Sequence, residues 1–416
     1  MKVVESKKAT RIIAQLVNRG AVNTSKAEPI ARKIIADVRK GGDKALRKYA
    51  EKWDGLGKKD PLKVTTEEMQ AAAQRVSPEL RDALKQAANN IRRFCEWQKP
   101  ADWTEEQQPG VRVGQVLRPL DSVGCYVPGG RYPLPSTMLM TVIPAQVAGV
   151  KRIVVVSPKP AKETLAAAAM LGITEFYRIG GAQAIAALAC GTETIQPVVK
   201  IVGPGNNFVT AAKKLVSFDC AIDMLAGPTE VAVVSETGNP AYIASDLVAQ
   251  SEHDPETLAV FITTNSKLAR AVESEAKRQA KGNVIAKKSL VKNGVVLVTS
   301  SPEESFAIAN ALAPEHITVD SEEDLEHITS AGSVFVGQWS AQSVGDYASG
   351  PNHTLPTGAA ARFRGGLSVL DFLKVITVQQ LSREGLEQIA GCVTALAVAE
   401  GLKAHVESVS MRLRSN

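Results

Sequence analysis

The 416 residues contain five histidines, and four of them stand in polar stretches: Gln250-Ser251-Glu252-His253-Asp254, Pro314-Glu315-His316, Asn352-His353 and Ala404-His405. Neutral imidazole is the commonest side-chain metal ligand and a base poised near neutral pH. Beside carboxylates and an amide, these imidazoles imply a metal site next to an acid/base pair. Gln250 and His253, three apart in a helix-forming stretch, are expected on one helix face. Asp346, in the glycine-bounded run Gly345-Asp346-Tyr347-Ala348-Ser349-Gly350, can present a carboxylate, and His405 follows Glu400 by five residues. Nitrogen and oxygen donors without cysteine suit zinc or manganese, with zinc favoured for catalysis. Glu315-His316 follows a proline and precedes the apolar Ile317-Thr318-Val319, so a turn there aims both groups into a crevice for proton transfer. The fifth histidine, His327, lies in the acidic run 322–327 and reads as a solvated helix face.

Two further features invite chemistry. Gly180-Gly181-Ala182-Gln183 and Gly203-Pro204-Gly205-Asn206 each follow a strand-like run and open a helix-like one. Neither is a GxGxxG motif. Each turn can offer backbone N–H groups to an anion at the carboxyl end of a parallel strand, or can simply be a tight connection. Cys125 is a thiol that could attack an aldehyde. Its place inside the apolar run 122–127 instead predicts a buried, inert group.

The elements that must position these residues follow from periodicity. Residues 1 to about 100 read as helices, with helical spacing over 31–53 and 77–98. After Pro109-Gly110 the composition changes. Strand-like runs at 122–127, 152–156, 176–179 and 198–202 alternate with helical stretches at 138–148, 161–170, 182–189 and 208–216. The alternation restarts with strands at 231–234, 258–263, 293–298, 317–320 and 333–336, between which helices fall at 240–251, 266–280 and 302–312. Short connections of this kind predict two α/β units with parallel sheets covered on both faces. The segment 372–409 reads as helical and follows a glycine- and proline-rich loop, 345–366, so it can pack on another subunit.

Bulk properties exclude several classes. An apolar fraction of 44% and a charged fraction of 22% are those of an ordinary globular protein. There is no apolar run long enough for a membrane span, nor a secretory-type N-terminus, so a cytoplasmic location is expected. Cys95, Cys125, Cys190, Cys220 and Cys392 are scattered and form no CxxC pair, which argues against a disulfide framework or thiolate zinc finger. The net charge of +6 comes from bases interspersed with acids, as over 267–281. That pattern attracts small anions mildly and does not suit nucleic acid.

Taken in order, the blocks Tyr126-Val127-Pro128-Gly129-Gly130, Gly180-Gly181-Ala182-Gln183-Ala184-Ile185, Gly203-Pro204-Gly205-Asn206, Asp223-Met224-Leu225-Ala226-Gly227-Pro228-Thr229-Glu230, Gln250-Ser251-Glu252-His253, Ala313-Pro314-Glu315-His316 and Asp346-Tyr347-Ala348-Ser349-Gly350-Pro351-Asn352-His353 resemble the histidinol dehydrogenase family over almost the whole chain. The resemblance implies zinc, one ion per subunit, held by Gln250, His253, Asp346 and His405. It implies Glu315 and His316 as the catalytic pair, and Tyr126, Gln183 and Asn206 as contacts to NAD. Substrate contacts fall on Thr229, His353, Glu400, His316 and the four metal ligands. Thr229 stands where the family usually has serine, keeping the hydroxyl and adding a methyl, and Arg131-Tyr132 is not the commonest sequence of its loop.

The resemblance further implies oxidation of L-histidinol to L-histidine through the aldehyde with two NAD⁺. It also implies a homodimer whose C-terminal segments complete each other's sites, so that Glu400 and His405 act in trans. The fold expected is α/β, with two Rossmann-like parallel-sheet domains, N-terminal helices and an exchanged C-terminal helical segment. Its parts are a helical arm (1–20), a first α/β domain (21–125 with 230–366), a second on the NAD side (126–229), and the dimerisation segment (367–416). Competing readings are a zinc- and NAD-dependent dehydrogenase of another polar alcohol, such as a sulfonated diol, and a zinc hydrolase with Glu315 activating water.

Overall fold

The computed structural model describes residues 1–19, 24–129 and 132–414. Gly130 and Arg131, part of the expected glycine motif, lie outside the described residues. The chain forms two compact units, Met1–Gln98 with Asp121–Phe372, and Lys99–Leu120 with Leu373–Asn416.

The first unit holds two six-stranded sheets. One is parallel throughout and runs through Lys2–Glu5, Gly294–Val298, Leu258–Thr263, Glu230–Val234, His316–Val319 and Ser333–Val336. Strands buried on both faces read as unbroken apolar runs, and Val231-Ala232-Val233-Val234 and Leu258-Ala259-Val260-Phe261-Ile262 do so. Alternate side chains serve opposite faces. Val231, Val233, Ala259 and Phe261 pack under helices Pro240–Ser251 and Ser266–Gln279, whereas Ala232, Val234, Val260 and Ile262 pack with Pro302–Leu312. Asn239, Asn265 and Ser301 each accept a backbone N–H at the start of these three helices. Such caps stabilise a helix by about 1 kcal/mol each.

The other sheet runs Lys63–Val64, Glu175–Tyr177, Arg152–Val156, Ser122–Tyr126, Lys200–Val202 and Ala221–Ile222, parallel except for the first pair. Helix Glu28–Tyr49 packs on Gly181–Cys190 and Asn207–Val216, Thr66–Arg75 on Lys162–Met170, and Pro78–Gln98 on Pro135–Ala148. The expected division at 125/126 cuts the strand Ser122–Tyr126, which lies inside this second sheet.

Three expectations need correction. Residues 2–5 are a strand rather than part of a helical arm, paired in parallel with Val295–Val298, and the arm's helix begins only at Thr10. Val284–Asn293 is a helix that the apolar spacing did not mark. The C-terminal segment is not helical throughout: Leu373–Leu381 is a strand, and with Val111–Pro119 and Trp103–Gln108 it forms the antiparallel sheet of the second unit. Its β-branched Val375, Ile376, Thr377 and Val378 favour that outcome. Helices Arg383–Ala399 and Lys403–Arg414 then pack on one another. Among the described residues no helix is long and apolar enough to cross a membrane.

Candidate active site

Glu315 and His316 enter the site because the chain turns sharply before them. Ala313 closes helix Pro302–Leu312 in the left-handed region (φ 46°), Pro314 follows, and His316 is the first residue of its strand. Both side chains are buried. Glu315 Oε2 accepts the Glu230 N–H at 2.9 Å and also the Thr229 hydroxyl. Thr229 Oγ1 in turn accepts Gln250 Nε2, so amide, hydroxyl and carboxylate form one chain of hydrogen bonds. His316 Nδ1 lies 3.2 Å from the Glu230 carbonyl oxygen, with Gln250 Nε2 at 3.4 Å. A carbonyl can only accept, so Nδ1 carries the proton and Nε2 keeps its lone pair. That nitrogen lies 3.9 Å from Asp346 Oδ1.

Burial sets the charges. Desolvation raises the Glu315 carboxyl well above the usual carboxylate range; the nearby Glu230 and Asp346 charges push the same way, and the Thr229 and Glu230 hydrogen bonds oppose it. Desolvation lowers His316 to about 4 against the pull of Asp346, leaving a neutral imidazole near pH 7. The Cys125 thiol is buried and pushed up to about 12 by the same cause, as expected of an inert group.

The remaining expected residues fall differently. Gln250 is 2% exposed in the last turn of helix Pro240–Ser251, and its Oε1 has no hydrogen-bond partner among the described residues. His253 does not share that helix face as expected. The helix stops at Ser251, ahead of Asp254-Pro255, and His253 is exposed beyond it, though its charge is felt at His316 and His353. Asp346 is half-buried in the short helix Ser343–Tyr347. His353 donates Nδ1 to the Asp346 carbonyl at 2.8 Å, with Thr137 Oγ1 3.2 Å from its Nε2. His316 and His353 line a cavity of about 300 Å³ together with Phe94, Phe335 and Asn352. Glu400 and His405 belong to the second unit and are exposed on it. His327 is exposed, as read from its acidic run, with its ring against Phe306.

Among the described residues no group of three or more His, Cys, Asp or Glu is arranged to hold a metal. A buried amide oxygen without a partner is nevertheless an atom that a cation would satisfy. Gln250 Oε1, on an amide whose Nε2 lies 3.4 Å from His316 Nδ1, fits such an ion.

A second cavity, of about 500 Å³, opens at the carboxyl ends of the strands of the second sheet. Tyr126, Gln183 and Asn206 all line it. Asn206 caps helix Asn207–Val216 by accepting Phe208 N–H at 3.0 Å and Val209 N–H at 3.2 Å. The Tyr126 hydroxyl accepts Gly181 N–H at 3.1 Å; burial pushes this phenol up to about 12, so it stays neutral. Asp54 and Lys159, which sequence reasoning missed, also line the cavity. Asp54 Oδ2 accepts Gly180 N–H and Gln183 Nε2, both at 3.0 Å. The signals were present: Asp54-Gly55 ends a helix with a left-handed glycine, and Lys159 lies three residues beyond Val156, the strand residue paired with Tyr126.

Hydride transfer needs a long cavity where backbone N–H groups meet phosphates, and a neutral base where an alcohol can lose its proton. The first unit supplies the neutral base at His316 and, at the strand ends of its second sheet, a cavity of about 500 Å³ lined by residues at two helix N-termini, and the class these fit is that of a dinucleotide-dependent dehydrogenase. Comparison narrows the class. The histidinol dehydrogenase family model matches residues 17–413. A histidinol dehydrogenase of Methanothermobacter thermautotrophicus is 47% identical over 97% of each chain, and one of Geobacillus kaustophilus is 48% identical over 91% of this chain and 92% of its own. The solved structure of a histidinol dehydrogenase from Elizabethkingia anophelis superposes with a TM-score of 0.94 at 37% identity, covering 100% of this chain and 98% of that one. An acetylating aldehyde dehydrogenase from Geobacillus thermoglucosidasius, 14% identical with a TM-score of 0.50 over 85% of this chain and 97% of its own, shares the fold alone. The chain belongs to the histidinol dehydrogenase family.

Proposed function

We propose that this protein oxidises histidinol to histidine in two successive steps with NAD⁺ as hydride acceptor, and that the site is completed by zinc. The observation that carries the reading is His316: neutral, with Nδ1 fixed on the Glu230 carbonyl and Nε2 open toward Asp346, next to the buried Glu315. His316 Nε2 takes the hydroxyl proton as hydride leaves the carbinol carbon. Glu315 then removes a proton from the water that attacks the aldehyde, a role suited to a carboxylate whose basicity burial has raised well above the usual carboxylate range. Thr229 orients Glu315 and, through Gln250, ties it to the metal donors.

Gln250, His253, Asp346 and His405 would hold zinc, which would supply Lewis-acid anchoring of the substrate's amine and imidazole nitrogens. Tyr126, Gln183 and Asn206 would line NAD, and the Gly180-Gly181 and Gly203–Asn206 turns would meet its phosphates at two helix N-termini. We also propose that Glu400 and His405 are supplied by a second copy of the chain. Both are exposed on the second unit, and the strand Leu373–Leu381 of that unit exposes Val375, Ile376 and Val378. Such an apolar run on a sheet favours association.

The test is absorbance at the NADH wavelength with purified protein, NAD⁺, zinc and histidinol. Two NADH per histidinol supports the reading. No NADH with histidinol but turnover of a sulfonated diol would move the substrate class, and hydrolysis without NADH would reject a dehydrogenase. The cofactor-sized cavity at the strand ends argues against the hydrolase, which needs no dinucleotide.

A further inference from the structure

One face of helix Pro240–Ser251 is matched, turn by turn, to the segment that carries Asp346. Tyr242, Asp246 and Gln250 recur at four-residue spacing and therefore stack along that face. The Tyr242 ring lies against Trp339, with centroids 6.3 Å apart. One turn on, Asp246 Oδ1 accepts the backbone N–H of Gln342 at 3.3 Å. The Gln342 side chain, 1% exposed, donates Nε2 to Asp346 Oδ2 at 3.3 Å. At the last turn stands Gln250 with its unpaired Oε1.

We infer that Asp246 and Gln342 are positioning residues for the Asp346 carboxylate, so that a single helix sets two metal donors, Gln250 directly and Asp346 through Asp246 and Gln342. The inference rests on the reading of Asp346 as a metal ligand. Its chemistry is specific. A carboxylate held at Oδ2 by a neutral amide is fixed in orientation yet keeps its full negative charge for a cation. A lysine or arginine in place of Gln342 would neutralise that charge. With Oδ2 occupied, Oδ1 is the oxygen turned toward His316, from whose Nε2 it lies 3.9 Å. Partners that orient a ligand in this way typically change metal affinity by about 10- to 100-fold when removed.

The test measures zinc release from the zinc-loaded, full-length protein to a colorimetric chelator. Gln342→Met keeps the size of the side chain and removes the donor; it is expected to weaken zinc binding by about 10-fold or more. Asp246→Ala is expected to weaken it in the same direction and by less. Asp246→Asn, which retains an acceptor oxygen for Gln342 N–H, stays within about threefold of the parent. Thermal unfolding of the zinc-free proteins accompanies each measurement, and the zinc-free midpoint of Gln342→Met is expected to match the parent. Parental zinc affinity in both Gln342→Met and Asp246→Ala, while Asp346→Ala loses zinc, overturns the inference. If Asp346→Ala itself binds zinc like the parent, the metal reading has failed instead. Should Gln342→Met not fold, the contrast between Asp246→Ala and Asp246→Asn decides the matter, equal affinities counting against the inference.

Discussion

The backbone of Glu230 holds His316 and its neighbour at once: its carbonyl oxygen lies 3.2 Å from His316 Nδ1, and its N–H donates to Glu315 Oε2 at 2.9 Å. Adjacent residues of a strand point to opposite faces. Glu315 and His316 escape that rule because the strand begins at His316, and Glu315 still belongs to the turn that Ala313 and Pro314 build. The neighbouring strand, in register at Val231 with His316, then offers the backbone N–H and C=O of one residue, Glu230, to the two groups.

The buried neutral imidazole gives the first prediction. Folding lowers His316 from 6.5 to about 4, so between these values the unfolded chain binds more protons than the folded one. The His316 contribution to stability therefore falls as pH drops from 6.5 toward 4. His316 alone accounts for about 3 kcal/mol of that loss. His316→Asn is expected to flatten the slope of unfolding free energy over this interval, measured by denaturant titration at a series of pH values. A variant with the parent's slope would show that the ring titrates normally.

Glu315→Gln separates the two oxidations. The amide can still accept from Thr229 and Glu230 but cannot take a proton from water. Oxidation of alcohol to aldehyde is expected to persist within about tenfold, while oxidation of supplied aldehyde falls by about 10²–10⁴. Stopped-flow NADH formation from each substrate reads the two steps separately, and equal losses in both would remove Glu315 from the water-activating role.

Gly203→Ala tests the cofactor turn. Gly203 has φ +113°, and a Cβ there would run into the Tyr126 carbonyl oxygen. The peptide cannot shift to relieve the clash. Asp223 Oδ2 holds the Gly203 N–H at 2.7 Å and Lys213 Nζ the Gly203 carbonyl at 3.0 Å, within a buried ion pair. Dinucleotide affinity, followed by NADH fluorescence, is expected to drop by about tenfold or more, with a lower thermal midpoint. Parental values for both would mean that the turn is only a connection.

Much of this was legible in the chain because both sheets are built from short β-branched runs. Strands at 152–156, 258–263 and 333–336 fall where the apolar runs fall. Trp103-Thr104-Glu105-Glu106-Gln107-Gln108 carries no such signal: its side chains are nearly all exposed, and its strand is defined by pairing with Val111–Pro119. The site was legible as residue types but not as geometry. Helical spacing put Gln250 and His253 on one face, and the stop at Ser251 separated them. Asp54 reaches Gln183 across 129 residues, and Thr137 reaches His353 across 216, so no local pattern could join them. Gln342 was invisible for a different reason, since a buried glutamine four residues from a carboxylate reads in sequence as an ordinary turn.

His405 carries the last prediction. It lies in the first turn of the helix Lys403–Arg414, five residues after Glu400, the C-cap of the helix before, and both side chains are exposed on the second unit. A histidine and a glutamate with structural roles only would tolerate substitution, since exposed positions change stability by about 0.5 kcal/mol or less. If instead they complete a neighbour's site, His405→Asn lowers zinc content and activity without lowering the thermal midpoint of the zinc-free protein. Glu315→Gln is expected to be defective in aldehyde oxidation for a reason that resides in the other unit of the chain. Mixing the two variants under conditions that let subunits exchange then makes dimers in which one site combines both defects and the other has neither. About a quarter of all sites regain function at equal mixing, if exchange is random and dimers are the only species. Recovered aldehyde oxidation near that level, with neither parent active alone, is the expected result. No recovery after exchange is shown by differently labelled subunits would place His405 in the site of its own chain.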